Sequence, residues 1–276
     1  MLKKEEIRIR DPFILTDKEN GCYYMYGTTD LKQDTLHTGC SFSVYKSFDL
    51  ESFEEPKVIF DGTDFWATQD YWAPEVHQYK GKYYLFASFK HPERCRGTQV
   101  LVCDTPDGKF TPISDAPATP ADWECLDGTL WVENGTPYIV FCHEWLQIKD
   151  GAICAMPLRE DLTAPAGEPN TLFHATANPK VTHLGRKHPD CFVTDGPFLY
   201  TEQGKLKMIW SSFANGRYLV LEAESDSVLG PWKHLPPRFD FDGGHAMLFE
   251  RLDGTRMISL HAPNTANLER PLFLPY

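Results

Sequence analysis

Positive charge is scarce in this chain: 27 Lys and Arg stand against 39 Asp and Glu, a formal net charge of −12. Proteins that hold nucleic acid do so through basic patches that displace counterions, so this balance argues against such a partner. An anionic membrane surface fares no better. Long apolar runs are missing too. No stretch is long enough to span a bilayer, and the N-terminus, MLKKEEIRIRDPF, has no apolar signal-peptide core. A cytoplasmic protein is therefore expected, or a secreted one whose signal peptide has been removed. The 8 cysteines include no CxxC pair, which excludes the common zinc and dithiol spacings. Cys103 in VLVCD and Cys142 in VFCHEW sit in apolar runs, where a thiol acts as a small buried hydrophobe. Helical periodicity is nearly absent as well.

Aromatic residues are plentiful, at 13% of the chain, and suit both strands and sugar-stacking surfaces. The strands repeat a phrase. A first strand opens on a polar residue with Gly or Pro and then turns apolar: RDPFIL, WAPEVHQY, LDGTLWV, TDGPFLY and GGHAMLF. A short turn follows, and a more hydrophobic strand returns: YYMYGTTD, YYLFASFK, YIVFCHEW, KMIWSSF and MISLHAPN. Two outer strands complete the first four copies, and the fifth is shorter. Five copies at roughly 50–70 residues each predict an all-β fold, a five-bladed β-propeller with four-stranded blades around a central channel. Residues 1–276 then form a single domain.

In a propeller the first strands line the channel and begin at one face. Their opening residues, Asp11, Trp72, Asp127, Asp195 and His245, should converge there. The residues closing the second strands, Asp30, Lys90, Glu144, Ser212 and His261, should surround them. Asp before Gly or Pro is ordinary turn chemistry when it occurs once. Three such carboxylates at matching blade positions suggest more, because crowded carboxylates push their proton affinities apart. Glycoside hydrolysis uses that split, one carboxylate activating water and a protonated one serving the leaving oxygen.

With RDPFI, WAPEV, SVYKSFDLESFE, DGTLWV, DGPFLY, SVLGPW and GGHAMLF in place, the chain resembles glycoside hydrolase family 43 over nearly its whole length. That is the arabinofuranosidase, arabinanase and xylosidase group. The resemblance implies an inverting glycosidase taking α-L-arabinofuranosyl or β-D-xylosyl units from plant-derived oligosaccharides. It matches Asp11 to the general base and Asp127 to the residue that orients the acid and raises its pKa. It also matches His245 to a central histidine, beside which an ion such as calcium sits through water. No HxxxH or carboxylate cluster offers a direct metal site, and no cofactor is expected to be required.

The acid position departs from the family, which usually carries Glu-Gly-Pro where this chain has Asp195-Gly196-Pro197. Asp is shorter by one methylene, which withdraws the carboxyl by about 1.3–1.5 Å. Three readings stay open: a closer blade-four strand with Asp195 as acid, Glu144 in CHEWLQ as acid instead, or a weak or inactive relative. Trp72 is expected as a wall against the sugar's C–H face, with Trp123, Trp145 and Trp210 as wall or core. Glu75, His245 and Arg217 complete the substrate-binding candidates, and Glu75 stands where the family phrase commonly has Asp. Lys90 and His91 are weaker candidates. Two other functions compete. A propeller phosphorylase would hold phosphate with cations such as those of KHPERCR (Lys90 to Arg96). A binding-only propeller would keep aromatic walls without needing Asp11 and Asp127 together.

Overall fold

Antiparallel meanders recur five times along the chain in a computed structural model that describes residues 1–29 and 40–276. Their sheets form the five blades of a β-propeller. The innermost strands are Arg10–Asp17, Gln69–Tyr79, Cys125–Glu133, Asp195–Glu202 and Gly244–Glu250. Each pairs with the next strand in sequence, namely Cys22–Thr28, Lys82–His91, Thr136–His143, Lys205–Ala214 and Arg256–Ala262. Blades two, three and four have four strands. In blade one the strand Ser41–Ser47 pairs with both Ser52–Phe53 and Lys57–Asp61, and Leu2–Lys3 is added at the outer edge. Blade five has three strands among the described residues. Asp30, expected to close blade one's second strand, lies outside the described residues.

The second strands carry the core because they are covered on both faces. Cys22–Thr28 is buried along its whole length. Apolar side chains of neighbouring blades interlock between the sheets, with Phe42, Phe86, Phe89, Phe141 and Trp210 fully buried. Between blades one and two, Phe89 meets Phe42 and Phe60 edge-on, at 5.7 and 5.9 Å between ring centroids. Pairs of this kind add about 0.5–1.5 kcal/mol beyond the area they bury. Trp210 lies in this core rather than in any wall of the site.

Blade five comes wholly from the C-terminal residues and blade one from the N-terminal ones, so side-chain and backbone contacts close the ring. Ser259 Oγ donates to the Pro12 carbonyl at 2.7 Å, and Thr16 Oγ1 to that of Glu250 at 2.6 Å. Arg8 pairs with Glu269 at 3.2 Å between largely buried side chains. This closure holds the first inner strand, and Asp11 with it, against the last.

Candidate active site

Every inner strand opens with the same irregularity. Two of its residues oppose one on the second strand, and the first of the two has a left-handed backbone. The pairs are Asp11–Pro12, Ala73–Pro74, Asp127–Gly128, Gly196–Pro197 and His245–Ala246, with φ between 46° and 54° at the first member. Such a bulge re-aims the strand and turns one side chain away from the regular alternation. Here it turns Asp11, Asp127 and His245 to the channel mouth. Asp195 does not share their position. It stands one residue earlier, where blade two has Trp72 and blade one Arg10. The expected equivalence of the three Asp residues is thus corrected: the blade-four counterpart of Asp11 is Gly196.

The bulges lie in the buried channel, where a backbone N–H needs a partner, and a ring of latches supplies it. At four of the five junctions, the second-strand residue paired with the one just before the bulge receives the N–H of the next blade's bulge. Thr28 Oγ1 takes that of Ala73 at 2.7 Å, Ser88 Oγ that of Asp127 at 2.9 Å, and Ser211 Oγ that of His245 at 2.8 Å. His261 Nδ1 closes the circle by taking the Asp11 N–H at 3.2 Å. At the remaining junction the Gly196 N–H goes instead to Asp127 Oδ2, at 3.0 Å.

These groups meet in a cavity of about 270 Å³ lined by Asp11, Asp127, Glu144, Asp195, Tyr218 and His245, with Arg10, Trp72, Trp145, Leu184, His261 and Asn264 around them. His245 Nδ1 lies 3.1 Å from Asp11 Oδ1 and 3.7 Å from Asp127 Oδ2. Thr28 Oγ1 donates to Asp11 Oδ2 at 2.6 Å. Burial would raise the proton affinity of Asp11, but the charges of His245 and Arg10, with the Thr28 hydrogen bond, overcome it and bring the pKa down to about 2. Asp195 has the opposite balance. Burial and the negative charge of Asp127 push it up to about 8, although the Tyr218 hydroxyl donates to its Oδ2 at 3.0 Å. Asp127 lies between, raised to about 6 by burial against the pull of His245. The proton of this close pair rests on Asp195, since Asp127 alone has both a backbone N–H and an imidazole facing it. His245 itself is raised above the ordinary imidazole value: burial opposes its charge, but Asp11 and Asp127 outweigh burial.

Glu144 does reach the cavity, but Arg96 holds it in an ion pair, and Arg96 Nη2 also binds Asp70 Oδ2 at 2.6 Å. Burial lifts Glu144 to about 7 despite Arg96. The direct guanidinium contact nevertheless favours the carboxylate, because a proton there would break the charge-assisted bond. Trp72 lines the cavity, but the Arg96 guanidinium carbon lies 4.5 Å from its ring centroid. The indole face on that side is covered by a cation and unavailable to a sugar. Glu75 is buried outside the cavity wall with His77 Nε2 at 2.9 Å, and it acts on Asp127 and His245 through its charge. Arg217 also lies outside the wall, its guanidinium bound to the carbonyl and carboxylate of Asp240. Trp145 is a wall, whereas Trp123 stacks on His143 at 4.2 Å.

Of the residues closing the second strands, Glu144 and His261 face the cavity. Lys90 turns to Glu124 at 2.6 Å, and the buried Ser212 hydroxyl donates to the Val193 carbonyl at 2.6 Å. Two cations of the KHPERCR segment, Lys90 and Arg96, are thus paired with carboxylates. Among the described residues no group of three or more His, Cys, Asp or Glu is arranged to hold a metal ion.

Tyr218 and Arg10 are site residues that strand patterning did not single out. Tyr218 is the second residue of a third strand, Arg217–Ser225, just after the Asn215-Gly216 turn, and that turn is the one sequence signal near it.

Gly196 is required twice over: its φ is +50°, and a Cβ there would lie 2.8 Å from the His245 ring. Gly196→Ala is expected to lower kcat at least about tenfold by moving His245 and Asp195 apart. A variant with unchanged kcat, measured alongside its melting temperature, would show that the ring contact does not matter.

Comparison with known proteins agrees with this fold. The family model for glycosyl hydrolases family 43 matches residues 6–274. An endo-arabinase structure from Bacteroides thetaiotaomicron is 41% identical, covers 100% of this chain and 96% of its own, and superposes with a TM-score of 0.91. An endo-1,4-beta-xylanase structure from the same organism is 26% identical, covers 97% of this chain and 90% of its own, and has a TM-score of 0.79. A protein called xylosidase/arabinosidase 43A from Humicola insolens is 28% identical over 138 residues. That stretch is 46% of this chain and 41% of the Humicola protein, so the match spans less than half of either.

Proposed function

The chain belongs to glycosyl hydrolases family 43, and from that premise we propose that it is an inverting glycosidase acting on α-L-arabinofuranosyl linkages. The observation that carries the reading is one cavity holding two carboxyls in opposite surroundings: Asp11 faces His245 Nδ1 at 3.1 Å, whereas Asp195 is buried with the Tyr218 hydroxyl at 3.0 Å. Asp11 is held as a carboxylate near 2 and Asp195 as an acid near 8. In the proposed reaction Asp11 takes a proton from water, which attacks the anomeric carbon, while Asp195 gives its proton to the departing oxygen. Tyr218 occupies Asp195 Oδ2 and leaves the other oxygen of that carboxyl to face the substrate. Asp127, ionised and bonded to the Gly196 N–H, keeps the proton on Asp195 by charge and fixes the peptide that carries it.

Glu144 is assigned to sugar hydroxyls rather than to proton transfer, because Arg96 holds it as an acceptor. The endo-arabinase name of the 41% identical structure supports arabinose over xylose. A β-D-xyloside activity is the second reading, supported by the double name of the Humicola protein.

The test is a panel of aryl α-L-arabinofuranosides, β-D-xylosides and β-D-galactofuranosides, with proton NMR of the first product formed. The expected result is turnover of the arabinofuranoside and an initial product of inverted anomeric configuration. Retained configuration would overturn the mechanism, and preference for the xyloside would overturn the sugar assignment.

A further inference from the structure

The latch ring has one exception, and it falls at the acid. By strand register the residues paired with the one just before each bulge (Arg10, Trp72, Leu126, Asp195 and Gly244) are Thr28, Ser88, Cys142, Ser211 and His261. Four of them offer an oxygen or a nitrogen, and each accepts the next blade's N–H at 2.7 to 3.2 Å. The fifth, Cys142, is fully buried beside Asp127, and a thiol sulfur is a weak acceptor. The Gly196 N–H that this position would otherwise receive is bound by Asp127 Oδ2.

We propose that Cys142 is a positioning residue: by withholding a good acceptor at this one junction, it leaves the Gly196 N–H to Asp127 and so ties that carboxylate to the peptide carrying Asp195. A hydroxyl at position 142 would serve Gly196 as Ser88 serves Asp127 and Ser211 serves His245. It would also donate to a neighbouring carboxylate, as Thr28 does when it accepts from Ala73 and donates to Asp11. Asp127 would then be released from blade four, and the peptide that carries Asp195 would lose its tie to that carboxylate. The inference rests on the reading of Asp195 as the acid.

The experiment compares Cys142→Ser, Cys142→Ala and Asp195→Asn with the unmodified protein. Each is measured on arabinofuranosides with a dinitrophenyl leaving group, which departs without a proton, and with an alkyl leaving group, which needs one. A misplaced acid in Cys142→Ser should lower kcat on the alkyl glycoside by on the order of ten- to a hundredfold, with KM little changed and the dinitrophenyl rate nearly kept. Cys142→Ala, which offers no acceptor, should keep kcat on both.

The proposal is overturned if Cys142→Ser keeps the alkyl rate, if it loses both rates equally, or if Cys142→Ala falls with it. Should Cys142→Ser fail to fold, Cys142→Thr, which brings the acceptor that Thr28 supplies in blade one, takes its place with the same expected and overturning results. Asp195→Asn separates the two failures. If it shows no leaving-group dependence, the assignment of the acid is wrong; if it does and Cys142→Ser does not, the latch inference alone is wrong.

Discussion

Asp11→Asn is expected to lower kcat by about three orders of magnitude on every substrate, whatever its leaving group. Removing a positioned general base typically costs 10²–10⁴ in rate, and a factor of about 10³ corresponds to about 4 kcal/mol of barrier. The substitution should leave the fold in place, because the latch to His261 uses the Asp11 backbone N–H and not its carboxylate. Asn is nearly isosteric and can still accept the Thr28 hydroxyl, now made to Asp11 Oδ2. What disappears is the negative charge that faces His245 at 3.1 Å and the group able to take a proton from water. Because water attack is impaired for good and poor leaving groups alike, dinitrophenyl and alkyl glycosides should fall in parallel. A loss under tenfold, or one confined to alkyl glycosides, would remove Asp11 from the base role.

The ring of five blades was visible in the sequence because each copy must repeat one physical task. A first strand bends at the channel mouth and then runs apolar, which gives RDPFIL, WAPEVHQY and their relatives a common grammar. Asp11, Asp127 and His245 were found together for the same reason, as first members of three equivalent bulges. Asp195 was misplaced by a coincidence of chemistry. Asp-Gly in DGPFLY looks like Asp-Gly in DGTLWV, but the structure sets Gly196-Pro197 against Asp11-Pro12 and Ala73-Pro74. The prolines held the register: aligning RDP, WAP and DGP on Pro puts Asp195 level with Arg10 and Trp72. Arg217 and Lys90 were drawn away from the site by Asp240 and Glu124, and Trp72 had one indole face covered by Arg96. Those partners lie far apart in sequence or across a turn, and only packing decides between them. Tyr218 reaches Asp195 from the third strand, a position that strand alternation cannot assign to the channel.

Asp195→Asn should divide substrates where Asp11→Asn does not. An amide in place of the acid cannot protonate the departing oxygen, so alkyl glycosides are expected to lose about 10²–10⁴ in kcat. Dinitrophenyl glycosides, whose leaving group departs as an anion, should lose little. The pH dependence gives an independent sign. Burial and the charge of Asp127 raise Asp195 to about 8, so the acid form is present at neutral pH and is lost as the pH rises through that value. The unmodified enzyme should therefore lose alkyl turnover above about pH 8, tenfold for each further unit. Asp11, held near 2, stays ionised through that range and contributes nothing to the decline. In Asp195→Asn the alkaline limb should vanish, leaving the residual rate flat where the unmodified enzyme falls. If the limb persists in Asp195→Asn and disappears in Glu144→Gln, the acid is Glu144, and its ion pair with Arg96 must open during turnover. The shorter Asp side chain is then accounted for as well: Asp195 would be left with a positioning task in which the reach of a Glu is not needed.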